Sequence, residues 1–427
     1  MFQQFDLAHG VKLYVRPTEQ FKTINISFKW KQSITAQDAS IRAVLANILQ
    51  YSNEVYPSNA EFRKRLDDLY GAVLYFDTSK KGNNHIFSLN AEMVNDAYLL
   101  KEKVVDEVFS LLATVIFKPL LVNGKFVDSI VKREKEQVIE RIQSMYDDKT
   151  RYAQQRLLEN IRPDQPASIS SNGTVATVQS ITNEQLIDMH KKLLDDDELS
   201  IYIVGDIDVQ DIKEKMKNHF TFSDRKGTVP IENHIEQQQI INGKNYLHEI
   251  QDMKQGKLHI AYHTPITFYS EEYPIMQMTN GILGGFAHSK IFMNVREKES
   301  MAYYASSNYS SLYGLIFVLA GIDSNLQEKA VQLIDEQLKA MQKGDISDLE
   351  INQTKSMLKN QLKEALDSAR AQIDIYDQYK ELNEDFTVEE WVEKWSNVTK
   401  EQIKQMASKI EKEFVYFLSG KDGASNE

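Results

Sequence analysis

Residues 182–205 read TNEQLIDMHKKLLDDDELSIYIVG, and residues 399–420 read TKEQIKQMASKIEKEFVYFLSG. Each stretch runs T-x-E-Q-[LI], continues with a helical pattern and ends in an apolar strand closing on Gly205 or Gly420. Thr182 and Thr399 stand where helix N-caps belong, and a glutamine three residues on completes a capping box in each. A plan that recurs half a chain apart describes two lobes of one design.

Earlier elements pair in the same way. Thr23–Lys31, TINISFKWK, places Ile24, Ile26, Phe28 and Trp30 on one face and Asn25, Ser27 and Lys29 on the other, a strand with one buried side. Leu258–His263, LHIAYH, alternates likewise. Each strand leads to a mainly apolar helix, Ile41–Leu49 or Tyr273–Leu283, and each half later carries a long charged helix, Phe126–Ser144 or Leu349–Ser368. Val11–Arg16 is expected to form a hairpin with Ile24–Trp30. The fold class is α+β: two homologous domains of mixed, largely antiparallel sheet packed with helices. Residues 1–222 make the first domain, 223–244 an exposed polar linker and 245–427 the second. Two such lobes can face each other as half of a clamshell chamber.

Composition narrows the function. At 427 residues the chain is long for one core and suits two. It has no cysteine, which excludes thiolate metal sites and a cysteine nucleophile and suits a reducing compartment. The start, MFQQFDLAHG, shows no secretory or transit pattern, and no apolar run reaches the roughly 18 residues of a membrane span, so the expected location is cytoplasmic. A net charge of −12 argues against nucleic acid as a partner. The acidic run Asp195–Glu198 reads as a solvated turn between helix and strand. His259 and His263 lie four apart on a strand, about 13 Å between them, too far to share an ion.

Two motifs carry the chemistry. Asn47–Tyr51, NILQY, lies where a zinc-binding helix would carry H-x-x-E-H. Two imidazoles at i and i+4 share a helix face and reach one metal, and the carboxylate at i+3 takes a proton from metal-bound water. Here Asn47, Gln50 and Tyr51 hold those places: two amides and a phenol. Glu134–Ile142, EKEQVIERI, carries Arg141 on the long charged helix. A guanidinium about 5 Å from Zn²⁺ costs roughly 7 kcal/mol at an effective dielectric near 20. In the second half, Leu283–Tyr303 reads LGGFAHSKIFMNVREKESMAY, with Arg296 and Tyr303 seven residues apart.

Together with the duplicated lobes, these motifs resemble the pitrilysin or insulinase-type metallopeptidases, which include mitochondrial processing peptidase; the likeness spans essentially the whole chain. The family signature is the inverted zinc motif H-x-x-E-H, completed by a Glu on the long helix. The resemblance implies that Asn47, Gln50, Tyr51 and Arg141 are degenerate zinc-site positions, so no metal and no catalytic residue is expected here. It implies substrate-binding roles for Arg296 and Tyr303, which in relatives hold the substrate backbone and help stabilise the oxyanion. Ser300 departs from the family's usual Gly. The implied function is that of a non-catalytic subunit in a heterodimeric zinc peptidase. A homologous partner with H-x-x-E-H would supply the zinc, and short or unfolded peptides would be the substrates. The other reading is a peptide-binding or scaffold protein without peptidase activity. The strand AVLYFDT after Gly71 is expected at a sheet edge, where relatives add extended peptide by main-chain pairing.

Overall fold

The repeated Thr-x-Glu-Gln segments form the expected caps. The Thr182 and Thr399 side chains accept from the Gln185 and Gln402 amides, and each glutamine side chain accepts in return from its threonine's N–H. The helices Asn183–Asp195 and Lys400–Ala407 follow, and each leads into a strand. The computed structural model describes residues 2–100, 103–227, 245–383 and 387–421. Most of the expected linker, 228–244, lies outside the described residues.

The first half contributes strands β1 (Gln3–Ala8), β2 (Val11–Pro17), β3 (Thr23–Ser33), β4 (Val73–Lys81) and β5 (Asn84–Val94), a short hairpin of β6 (Leu121–Val122) and β7 (Lys125–Phe126), and β8 (Glu198–Gly205). The second contributes β9 (Tyr246–Ile250), β10 (Gly256–His263), β11 (Ala302–Ser310), β12 (Leu315–Ile322) and β13 (Glu411–Ser419). The first sheet runs β1-β2-β8-β3-β5-β4 and the second β9-β13-β10-β12-β11. Without β1 the two orders are the same, and among the described residues each sheet has a single parallel pair, β2 with β8 and β9 with β13. The duplicated sequence therefore encodes a duplicated, largely antiparallel topology.

Val11–Arg16 does not form the expected hairpin with Ile24–Trp30. Strand β8 lies between them, parallel to β2 and antiparallel to β3. It is buried from Leu199 to Gly205, and a strand apolar on both faces is stable between two others rather than at a margin. The helices of the first half are α1 (Ala36–Tyr51), α2 (Asn59–Asp68), α3 (Val105–Phe117), α4 (Asp128–Asp147) and α5 (Lys149–Ile161). Ile24, Ile26, Phe28 and Trp30 share one apolar cluster with α1 and α3.

The opposite face of β3 was expected to be open, yet Ser27 and Lys29 are buried. The helix Ala369–Tyr379, from late in the chain, covers it. Ala369, Ile373 and Tyr376 pack on Tyr14 and Tyr202, and Lys29 Nζ reaches Asp374 at 2.7 Å and Asp377 at 3.2 Å. In return α5 packs in the second half, where Ala153, Leu157 and Ile161 join Ala261, Phe414 and Tyr416. One compact unit thus draws on 1–144, 169–231 and 367–378, and the other on 145–168, 232–366 and 379–427. The two halves read from the sequence exchange a helix. An i, i+4, i+8 stripe shows that a helix has a sheet to cover, but not which sheet.

Asp195–Glu198 also differs from expectation. The helix ends at Asp195 and β8 starts at Glu198, but Asp197 turns inward and pairs with Arg42 on α1, both fully buried. Arg42 Nη2 also donates to the Trp30 carbonyl at 2.9 Å.

Candidate functional site

Helix α1 starts at Thr35, whose side chain accepts from the Asp38 amide. Ile41, Val44, Leu45 and Ile48 bind it to the core, which turns Asn47, Gln50 and Tyr51 to a half-buried side. Helix α4 buries Val131, Val138 and Ile142 on one stripe, and Arg141 emerges beside it. A cavity of about 670 Å³ is lined by Asn47, Gln50, Tyr51 and Arg141, with Arg133 and Glu134 beside them. Residues 94 positions apart in the chain meet here.

Each of the four has an identifiable partner. Arg141 Nη2 donates to Asn47 Oδ1 at 3.1 Å, and its Nη1 to Asn172 Oδ1 at 3.4 Å. Gln50 Oε1 accepts from the Phe76 amide of β4 at 3.1 Å. The Tyr51 ring is covered by the Arg133 guanidinium, 3.4 Å from its centroid, and Arg133 Nε donates to the buried Glu134 at 2.8 Å. These groups do not fit zinc. The oxygens of Asn47 and Gln50 are neutral and already accept hydrogen bonds, and the guanidiniums of Arg63, Arg133 and Arg141 line the same cavity. Arg141, not its neighbour Glu140, faces the cavity. Among the described residues no three His, Cys, Asp or Glu side chains come together where they could hold a metal ion. His259 and His263 sit along β10. His259 is fully buried, with Nδ1 3.2 Å from Gln154 Oε1, and burial depresses its pKa to about 3.

Among the described residues, strand β4 is the last strand of its sheet and pairs only with β5. Along it Val73, Tyr75 and Asp77 are exposed while Leu74 and Phe76 are buried. Two of its amides are met by side-chain oxygens, Phe76 by Gln50 and Thr78 by Asp77 at 2.8 Å.

In the second unit, Tyr273–Asn280 continues into a wider i→i+5 turn over Gly281–Gly285, and the same winding recurs over Ile291–Lys298. Such turns are rare and concentrate at functional sites. A Cβ on Gly284 would lie 2.8 Å from the Ser307 backbone nitrogen, so only glycine lets this turn rest on β11. Lys290 ties the element to the helix Asp348–Ala365 through Glu350 at 3.0 Å. Arg296 Nε donates to the Tyr303 carbonyl at 3.1 Å, and its guanidinium lies 4.5 Å from the Phe292 ring centre. Tyr303 is 63% exposed, with its hydroxyl 3.3 Å from Asp323 Oδ1. Between Arg296 and Tyr303, Ser300 takes φ +50°, the left-handed conformation that glycine adopts without strain.

Residues 180–358 match the family model described as the Peptidase M16 inactive domain. A Bacillus subtilis protein named "Probable inactive metalloprotease YmfF" is 36% identical over 417 residues, which cover 97% of each chain. The chain belongs to the M16 metallopeptidase family. A conserved protein from Enterococcus faecalis, solved by crystallography, superposes on this M16 chain with a TM-score of 0.88 at 33% identity, covering 98% of this chain and 99% of that one. The β subunit of mitochondrial-processing peptidase from Saccharomyces cerevisiae is 23% identical over 321 residues, 68% of this chain and 66% of its own length.

Sequence reasoning named Asn47, Gln50, Tyr51 and Arg141, and the structure brings all four to one cavity. Arg296 and Tyr303 meet in the other unit. Sequence reasoning missed Arg133, because no spacing rule links position 133 to position 51. It also missed the Gln50 bond to β4, which depends on tertiary packing.

Proposed function

We propose that this chain is a non-catalytic M16 subunit that lends Arg296 and Tyr303 to the zinc site of a homologous H-x-x-E-H partner. The zinc would belong to the partner, and the substrates would be short or unfolded peptides. The observation that carries this reading is a contrast within one chain. The metal position holds two amides, a phenol and a guanidinium bound to their neighbours, whereas the Arg–Tyr element keeps its turn, its glycine contact and an exposed phenol. A fork of guanidinium donors and a directional phenol suit a tetrahedral oxyanion. The relative named as a subunit of mitochondrial-processing peptidase supports an assembly of this kind. Size-exclusion chromatography of the chain mixed with an H-x-x-E-H homologue from the same genome tests the assembly: a one-to-one complex is expected, and two separate peaks at micromolar concentration would refute it.

A peptide-binding role without catalysis is favoured by one separate observation, the outer strand β4 running beside an open cavity.

A further inference from the structure

The altered metal position has more than lost its ligands. Arg63, Arg133 and Arg141 line the cavity together, against Asp77 and Glu134. Arg133 is balanced by Glu134. Arg63 and Arg141 are not: Arg63 Nε donates to Asn59 Oδ1 at 3.3 Å, and Arg141 to the two amide oxygens of Asn47 and Asn172. Among the described residues neither pairs with a carboxylate. Two exposed guanidiniums whose hydrogen-bond partners are neutral oxygens thus line one concave space, a setting suited to an anion of carboxylate geometry.

The cavity wall also fixes what carries that carboxylate. Tyr75, Phe76, Asp77 and Thr78 of β4 belong to the lining. The Phe76 and Thr78 amides hold Gln50 Oε1 and Asp77 Oδ1, acceptor oxygens at two successive positions along the strand edge. A peptide's oxygens would replace them in kind, so an extended chain end can lie along β4 with its terminal charge in the cavity.

We propose that this cavity binds the C-terminal carboxylate of an extended peptide through Arg63 and Arg141, so that the abandoned metal position serves as a chain-end receptor. The carboxylate chemistry stands on the cavity alone, while the choice of a peptide rests on the proposed peptide-binding role of β4.

Fluorescence anisotropy of the full-length chain with labelled acetyl-pentapeptides tests both parts. The free-acid peptide is expected to bind about tenfold to a hundredfold more tightly than its C-terminal amide, the range of a charge-assisted pair. An amide peptide carrying one internal Glu should remain as weak as the plain amide; if it binds like the acid, any carboxylate suffices and the chain-end assignment fails. Arg63→Gln and Arg141→Gln should each reduce the preference for the acid while circular dichroism and melting stay unchanged. Equal binding of acid and amide, or a preference untouched by both variants, overturns the carboxylate site. Backbone N-methylation at alternate residues tests β4 separately: an N-methylated acid that binds as well as the parent overturns strand pairing and leaves the carboxylate site standing.

Discussion

Arg141 Nη2 lies 3.1 Å from Asn47 Oδ1, so the two positions that the proposed reading takes as the third and first metal-ligand places are hydrogen-bonded directly to each other. On that reading the contact puts a cation where an ion would sit. Elemental analysis of the purified chain should therefore find no stoichiometric zinc. Restoring the four positions as Asn47→His, Gln50→Glu, Tyr51→His and Arg141→Glu should recover only weak binding, because Arg133 still covers position 51. Adding Arg133→Ala is expected to tighten zinc by about tenfold or more, as removal of a nearby cation should. Isothermal titration with zinc checks it, and equal affinity with and without the fifth change would refute the blocking role of Arg133.

Ser300 holds φ +50° between Arg296 and Tyr303. Ser300→Gly should stabilise the second unit by up to about 1 kcal/mol, since relief of left-handed strain slightly exceeds glycine's extra freedom in the unfolded chain. Urea unfolding measures it; a loss of stability would show that the turn carries no strain.

Two buried histidines make stability depend on pH. Burial and the neighbouring Arg42 hold the His85 pKa down at about 4, and burial holds His259 at about 3. An unfolded histidine titrates near 6.5. Below that pH the unfolded chain takes up protons that the folded chain refuses, so stability is complete above about pH 6.5 and falls as pH drops toward 4 and then 3. His85→Gln and His259→Asn should each flatten that slope, read from urea midpoints at a series of pH values. An unaltered slope in both variants would mean that other groups set it.

The Arg42–Asp197 pair is buried on both sides. Asp197→Ala alone should destabilise the first unit by about 3–5 kcal/mol, because it leaves a buried guanidinium without its counter-ion. Arg42→Met combined with Asp197→Ala should recover much of that loss in a double-mutant cycle, and strict additivity would contradict the assigned pairing.

Local patterns in the sequence carry much of this fold. Capping at Thr182 and Thr399 is local chemistry, so the repeat is readable from it, and with it two lobes of one plan. The alternation in Thr23–Lys31 marks the strand and one of its faces. What local patterns do not carry is the partner across a gap in sequence. Strand β8 enters between β2 and β3, the helix Ala369–Tyr379 covers Lys29, and Asp197 leaves an acidic run to meet Arg42. Long-range packing decides each of these. At the cavity, Asn47 and Arg141 follow from the resemblance to the family's motifs, while Arg133, Arg63 and the Gln50 bond to Phe76 require the tertiary fold.

The most direct test of the lent-residue role is peptidase turnover by the chain mixed with an H-x-x-E-H homologue. The chain alone should be inert and the mixture active. Arg296→Ala or Tyr303→Phe in this chain should lower kcat by about a hundredfold or more, the scale of a lost oxyanion donor, with the complex still assembled. Undiminished turnover in both variants would contradict it.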